Sequence, residues 1–121
     1  MDGDSTSPPF VQLLNIGGTM SLNKLQFIFT ECVADLLQKM YTLGYTVSFG
    51  DARAKDGHKI NSLHYIGLAI DLNLFSEGIY LTKTEDHREC GIYWQTLHPQ
   101  CRWGRLYNDG NHYELVPHIW R

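Results

Sequence analysis

Long apolar runs are missing from this sequence. None approaches the roughly 18 residues that a membrane span needs, so no membrane insertion is expected. Basic residues are scarce as well, with 10 Lys and Arg against 13 Asp and Glu, a formal net charge of −3. That balance argues against a nucleic-acid binder and against a polybasic patch for a membrane surface. Cysteine is sparse and odd in number. Cys32, Cys90 and Cys101 include no CxxC pair, so free thiols in a reducing compartment are expected. The opening residues, MDGDSTSPPF, hold two aspartates but neither a basic nor an apolar segment, and so do not read as a secretory signal. Synthesis in the cytoplasm is the expectation. The sequence also lacks internal repeats and low-complexity tracts. With 43% hydrophobic and 19% charged residues, it excludes a disordered chain, a collagen-like fibre and a coiled coil.

What is present fits one domain. A chain of 121 residues can bury roughly two-thirds of its unfolded surface and needs no disulfide to do so. Residues 1–9, ending in Pro8-Pro9, read as a flexible arm ahead of a single domain over 10–121. Phe10 to Gly18 is a short apolar stretch. Leu22, Leu25, Phe29, Cys32, Val33, Leu36, Met40 and Leu43 recur at three- and four-residue steps, which predicts an amphipathic helix over 21–43, stopped by Gly44. Residues 45–49 read as a strand, 51–62 as a polar loop, and 68–75 as a second strand. Ser76-Glu77-Gly78 reads as a turn into a hairpin partner at 79–81. Thr82 and Glu85 have capping-box spacing, which predicts a short helix over 83–97. Two strands are expected at 102–107 and 112–116, split by Asn108-Asp109-Gly110. The sum is α+β, a long N-terminal helix packed on a small, mostly antiparallel sheet.

Two segments carry chemistry, SLHYIGLAIDLNLF at 62–75 and DGNHYEL at 109–115. Strand alternation puts Ala69, Asp71 and Asn73 on one face and Ile70, Leu72 and Leu74 on the other. The apolar set must face the core, so Asp71 projects from the opposite side. His112 and Glu114 share a strand face, with Asp109 three residues upstream. Two imidazoles and one carboxylate suit a zinc ion with an open fourth position. With neutral histidines such a site has a net charge of +1, which favours acidifying a bound water. A further carboxylate would then serve as general base, and Asp109 is placed to supply it. A second metal reading also exists, because His87-x-x-Cys90 and His98-x-x-Cys101 have the spacing of a structural zinc site.

At these residues the chain resembles the M15 peptidases, the D-alanyl-D-alanine dipeptidases and carboxypeptidases and the phage L-alanyl-D-glutamate endolysins. Their pattern is SxHxxGxAxD followed by [DE]xxH. Ser62, His64, Gly67, Ala69 and Asp71 fill the first part, and Asp109 and His112 the second. Arg102-Trp103-Gly104 looks like the Trp-Gly approach to the second motif. The resemblance covers about residues 21–116 and implies a hedgehog/DD-peptidase-like fold. It implies Zn2+ on His64, Asp71 and His112, with Asp109 as the base. Arg53 follows the strand before the first motif, where such peptidases place an arginine for the oxyanion or a substrate carboxylate. Its connection to Ser62 is shorter than in those relatives.

The implied partner is a peptidoglycan stem peptide, cut by a monomeric enzyme released to the cell wall as a phage lysin or carried on a virion. The alternative is a binding module or virion component of the same fold without turnover. Some roles stay open on sequence alone. Glu114 could replace Asp109 as base, or instead hold a ligand or the substrate. Ser62 reads as a loop hydroxyl or a substrate contact, and Trp103 as core or as a wall of the zinc pocket.

Overall fold

The computed structural model describes residues 21–51 and 62–117. The arm at 1–9, the Phe10–Gly18 stretch and Arg53 lie outside the described residues. The first element is α1 (Leu22–Thr42), followed by β1 (Thr46–Phe49), a 3-10 turn (Leu63–Ile66), β2 (Ala69–Ser76) and β3 (Ile79–Tyr80). A second 3-10 turn (Thr84–His87) leads into α2 (Arg88–Leu97). Then come β4 (Cys101–Trp103), a third 3-10 turn (Gly104–Tyr107) and β5 (His112–Leu115). The fold is α+β. The strands form one sheet in the order β1-β2-β5-β4, with β3 pairing the end of β2, and every pairing is antiparallel.

Helix α1 begins where the Ser21 hydroxyl accepts the Lys24 N–H at 3.2 Å, satisfying one orphan donor of the first turn. Past the Leu43 cap the chain turns away at Gly44, whose φ of +94° suits a residue without Cβ. Its buried face is Leu25, Ile28, Phe29, Cys32, Val33, Leu36 and Met40. The expected stripe therefore holds, except that Leu22, in the first turn, stays 42% exposed and Ile28 joins the core. Against this face pack Leu72 and Leu74 of β2, Tyr113 and Leu115 of β5, and Trp94 of α2. Asp71 and Asn73 alternate with the core residues of β2 as expected, although Ala69 on their face is fully buried too.

Two boundaries differ from the sequence reading. The strand expected over 102–107 ends at Trp103, because the chain tightens at Gly104 and turns at Asn108, which has φ +55°. The helix over 83–97 opens with a 3-10 turn capped from Lys83 rather than Thr82. There Asp86 Oδ2 accepts the Lys83 N–H at 3.1 Å, one residue later than the Thr82–Glu85 spacing suggested.

Trp94 and Trp103 tie α2 to the strands that carry the site. Trp94 Nε1 donates to the carbonyls of both Arg102 (3.2 Å) and Glu114 (3.1 Å), while its ring meets Phe29 and Tyr113 edge-on. The Trp103 ring packs against Gly91 of α2, and its Nε1 donates to the Gly110 carbonyl at 2.7 Å. A Cβ at Gly91 would run into the Trp103 ring. Gly91→Ala is therefore expected to destabilise the protein by about 1–3 kcal/mol, the usual cost of overpacking, despite the better helix propensity of alanine. Ile92→Ala, on the exposed side of the same helix, should cost under about 0.5 kcal/mol. Urea unfolding of the two variants checks this, and equal midpoints would contradict it.

Candidate metal centre

The register of the sheet assembles a row of polar side chains on the face away from α1. Asp71 of β2 stands opposite His112 of β5, and Glu114 of β5 stands opposite Arg102 of β4. Residues two apart on β5 share a face, so His112 and Glu114 bring the two pairs into contact. Antiparallel β1 supports the row from the other side. Gly50 N–H donates to the Asp71 carbonyl and Asp71 N–H to the Asp51 carbonyl, both at 2.8 Å. Gly50 carries no side chain there, and a Cβ would sit 3.0 Å from Asp71 Cβ.

His64 arrives from the 3-10 turn that precedes β2. The Ser62 hydroxyl accepts the His64 N–H at 3.2 Å, and Gly67, at φ +73°, closes the turn and sends the chain into the strand. The glycine at that position of the motif thus has a geometric reason: a left-handed residue is needed between the buried histidine and the strand. Ser62 is placed as the cap of that turn.

Three ligand atoms converge. His64 Nε2 lies 3.3 Å from His112 Nδ1 and 3.4 Å from Asp71 Oδ1, and His112 Nδ1 lies 3.1 Å from Asp71 Oδ1. A tetrahedron with metal–ligand bonds of about 2.0–2.1 Å has edges of about 3.3–3.4 Å. The triangle is thus the size of one face of such a site, and His64, Asp71 and His112 could hold a metal ion. Among the described residues no other group of three His, Cys, Asp or Glu side chains converges in this way.

His112 is oriented from behind. Its Nε2–H donates to Glu114 Oε1 at 2.7 Å, which leaves Nδ1 turned toward His64 and Asp71, where a metal ion could bind, and Glu114 Oε2 accepts from Arg102 Nε. A carboxylate on the far nitrogen of a ligating histidine fixes tautomer and ring angle together. Burial pushes the Glu114 carboxyl up, but His112 and Arg102 outweigh it and hold its pKa below the ordinary carboxylate value. Burial likewise opposes protonation of His112, yet the Asp71 and Glu114 carboxylates win and push its pKa up to about 9. A metal must displace that proton from Nδ1. Metal affinity is therefore expected to fall about tenfold for each pH unit below about 9 and to level off above it. Metal titrations between pH 6 and 10 check this, and a flat profile from pH 6 to 8 would contradict it.

Asp109 sits in the turn that leads into β5. Its N–H donates to the Gly104 carbonyl at 3.0 Å, its carbonyl accepts the His112 N–H at 3.1 Å, and its carboxylate is exposed. Gly104 permits this approach, since a Cβ there would strike the Asp109 carbonyl and come within 3.0 Å of His112 Cβ. From outside, Thr84 Oγ1 donates to Asn108 Oδ1 at 2.9 Å. Gly110 packs so closely on Thr84 that a Cβ would sit 2.7 Å from the Thr84 Cα. Trp103 is 2% exposed and belongs to the packing under this turn.

The alternative His and Cys site does not assemble. His87 Nε2–H donates to the Leu81 carbonyl at 3.2 Å, and His98 Nδ1 accepts the Gln100 N–H at 3.1 Å. Burial pushes the Cys90 thiol up to about 11. Cys101 is raised by its hydrogen bond to Cys32 and by burial. All three cysteines are free and buried. Comparison with known proteins adds no family: no protein-family model matches the chain, and neither does any curated protein. No helix among the described residues is long and apolar enough to cross a membrane.

Proposed function

We propose that the chain is a zinc metallopeptidase that hydrolyses peptide bonds in bacterial peptidoglycan stems, of the phage endolysin or virion-associated lysin kind. The observation that carries this reading is the His64–Asp71–His112 triangle, sized for tetrahedral zinc, on the residues of the SxHxxGxAxD and DxxH motifs. Zinc bound there would supply a Lewis acid that polarises the scissile carbonyl and brings the attacking water within reach of a carboxylate base near pH 7.

The remaining work falls to the chain's own side chains. Asp109, an exposed carboxylate at the entry to β5, takes the proton of the attacking water and passes it to the departing amine. Glu114 is a poorer base, because its oxygens already accept from His112 and Arg102 and it is 5% exposed. Arg53 steadies the developing oxyanion in this reading.

The test is release of new amino groups from isolated cell walls by the zinc-loaded protein. Release should stop with a chelator and return with added zinc. Zinc uptake and wall binding without release would place the chain among non-catalytic binding modules instead.

A further inference from the structure

Arg102 stands two hydrogen bonds from the candidate ligand His112, through Glu114. Its Nε donates to Glu114 Oε2, while the other carboxylate oxygen takes the His112 Nε2–H at 2.7 Å. The Tyr107 ring covers the guanidinium at 5.5 Å. Arg102 and Glu114 are cross-strand partners, and the Trp94 indole bonds both of their carbonyls, so backbone and side chains fix the pair together.

We propose that Arg102 is a positioning residue for the metal centre, acting through Glu114 to keep the His112 ring turned with Nδ1 toward the ion. The inference rests on the reading of His64, Asp71 and His112 as metal ligands. A glutamate has three side-chain torsions and two equivalent oxygens, so alone it could serve His112 in many poses. With the guanidinium on Oε2, one oxygen and one direction remain for the imidazole. The charge is matched as well. A divalent ion with Asp71 and two neutral histidines leaves +1. An uncompensated Glu114 would bring the cluster to zero, and Arg102 restores it. Lysine would keep the charge but not the planar Nε–H geometry, so the two contributions separate experimentally.

Zinc affinity, measured by competition with a chromogenic chelator, tests this with R102M, R102K, E114Q and R102M/E114Q. R102M should bind zinc about 10–100-fold more weakly than the wild type, the scale for loss of an outer partner of a metal ligand. R102K should recover part of the loss. The double variant should bind no more weakly than E114Q, because the arginine acts only through Glu114. Nitrogen NMR of histidine-labelled, zinc-loaded protein should show His112 protonated at Nε2, with that signal weakened in R102M. An arginine that only braces the fold would lower the melting temperature and leave zinc affinity unchanged. Wild-type affinity in R102M, or losses in R102M and E114Q that simply add, would overturn the proposal. If R102M does not fold, R102K must fall between wild type and E114Q, and any other order overturns it. A wild-type protein that takes up no zinc would bring down the metal-centre reading and this role with it. Normal uptake by both the wild type and R102M would remove the role alone.

Discussion

His112→Ala is expected to abolish zinc binding at the concentrations that load the wild type, and to reduce peptide hydrolysis to background. Loss of an outer partner already costs about 10–100-fold in affinity, and removing a ligand costs more. His112 is the hinge of the site. One ring nitrogen meets His64 and Asp71, and the other meets Glu114. His64→Ala should have the same outcome by opening the triangle from its buried corner. Elemental analysis of the purified variants checks both. About one zinc per chain retained in both variants, with loss in Cys90→Ala, would move the metal to the His and Cys residues near α2.

Asp109→Asn separates chemistry from metal binding. The Asp109 turn is held by its backbone, through Gly104 and His112, and by the Thr84–Asn108 contact. An isosteric amide therefore leaves the turn and the ligands in place. Zinc content and melting temperature should match the wild type, while kcat falls at least about 10²-fold, the scale of general-base catalysis. Glu114→Gln should show the reverse, with weaker zinc binding and a much smaller change in kcat once the site is saturated. Near-normal turnover in Asp109→Asn, with collapse in zinc-saturated Glu114→Gln, would exchange the two roles.

The long helix and the hairpin were legible in the sequence because local rules decide them. Apolar spacing of 3.6 exposes the α1 core face, and Glu77-Gly78, both with positive φ, make the tight turn between β2 and β3. Residues 102–107 misled because Arg102, Trp103, Leu106 and Tyr107 suit a strand, whereas the close packing of Gly104 on Asp109 and His112 forces a 3-10 turn. The grouping of His64, Asp71 and His112, which could hold a metal ion, was legible through the motif resemblance, and His64 and Asp71 lie on one short turn-and-strand unit. Which nitrogen of His112 faces His64 and Asp71 was not readable. That depends on Glu114 and, behind it, on the β4–β5 register that places Arg102. The sequence holds a signal for that pair, opposite charges on two short strands around a turn, but only the register makes them partners. Trp94, which bonds both strands from α2, left no local mark at all.

Mass spectrometry of the fragments released from purified peptidoglycan by the zinc-loaded protein tests the central claim most directly. The expected result is a new peptide terminus at one bond of the stem, either L-Ala–D-Glu or D-Ala–D-Ala, that is absent with Asp109→Asn and after chelation. Unchanged muropeptides from a folded protein carrying one zinc per chain would contradict it.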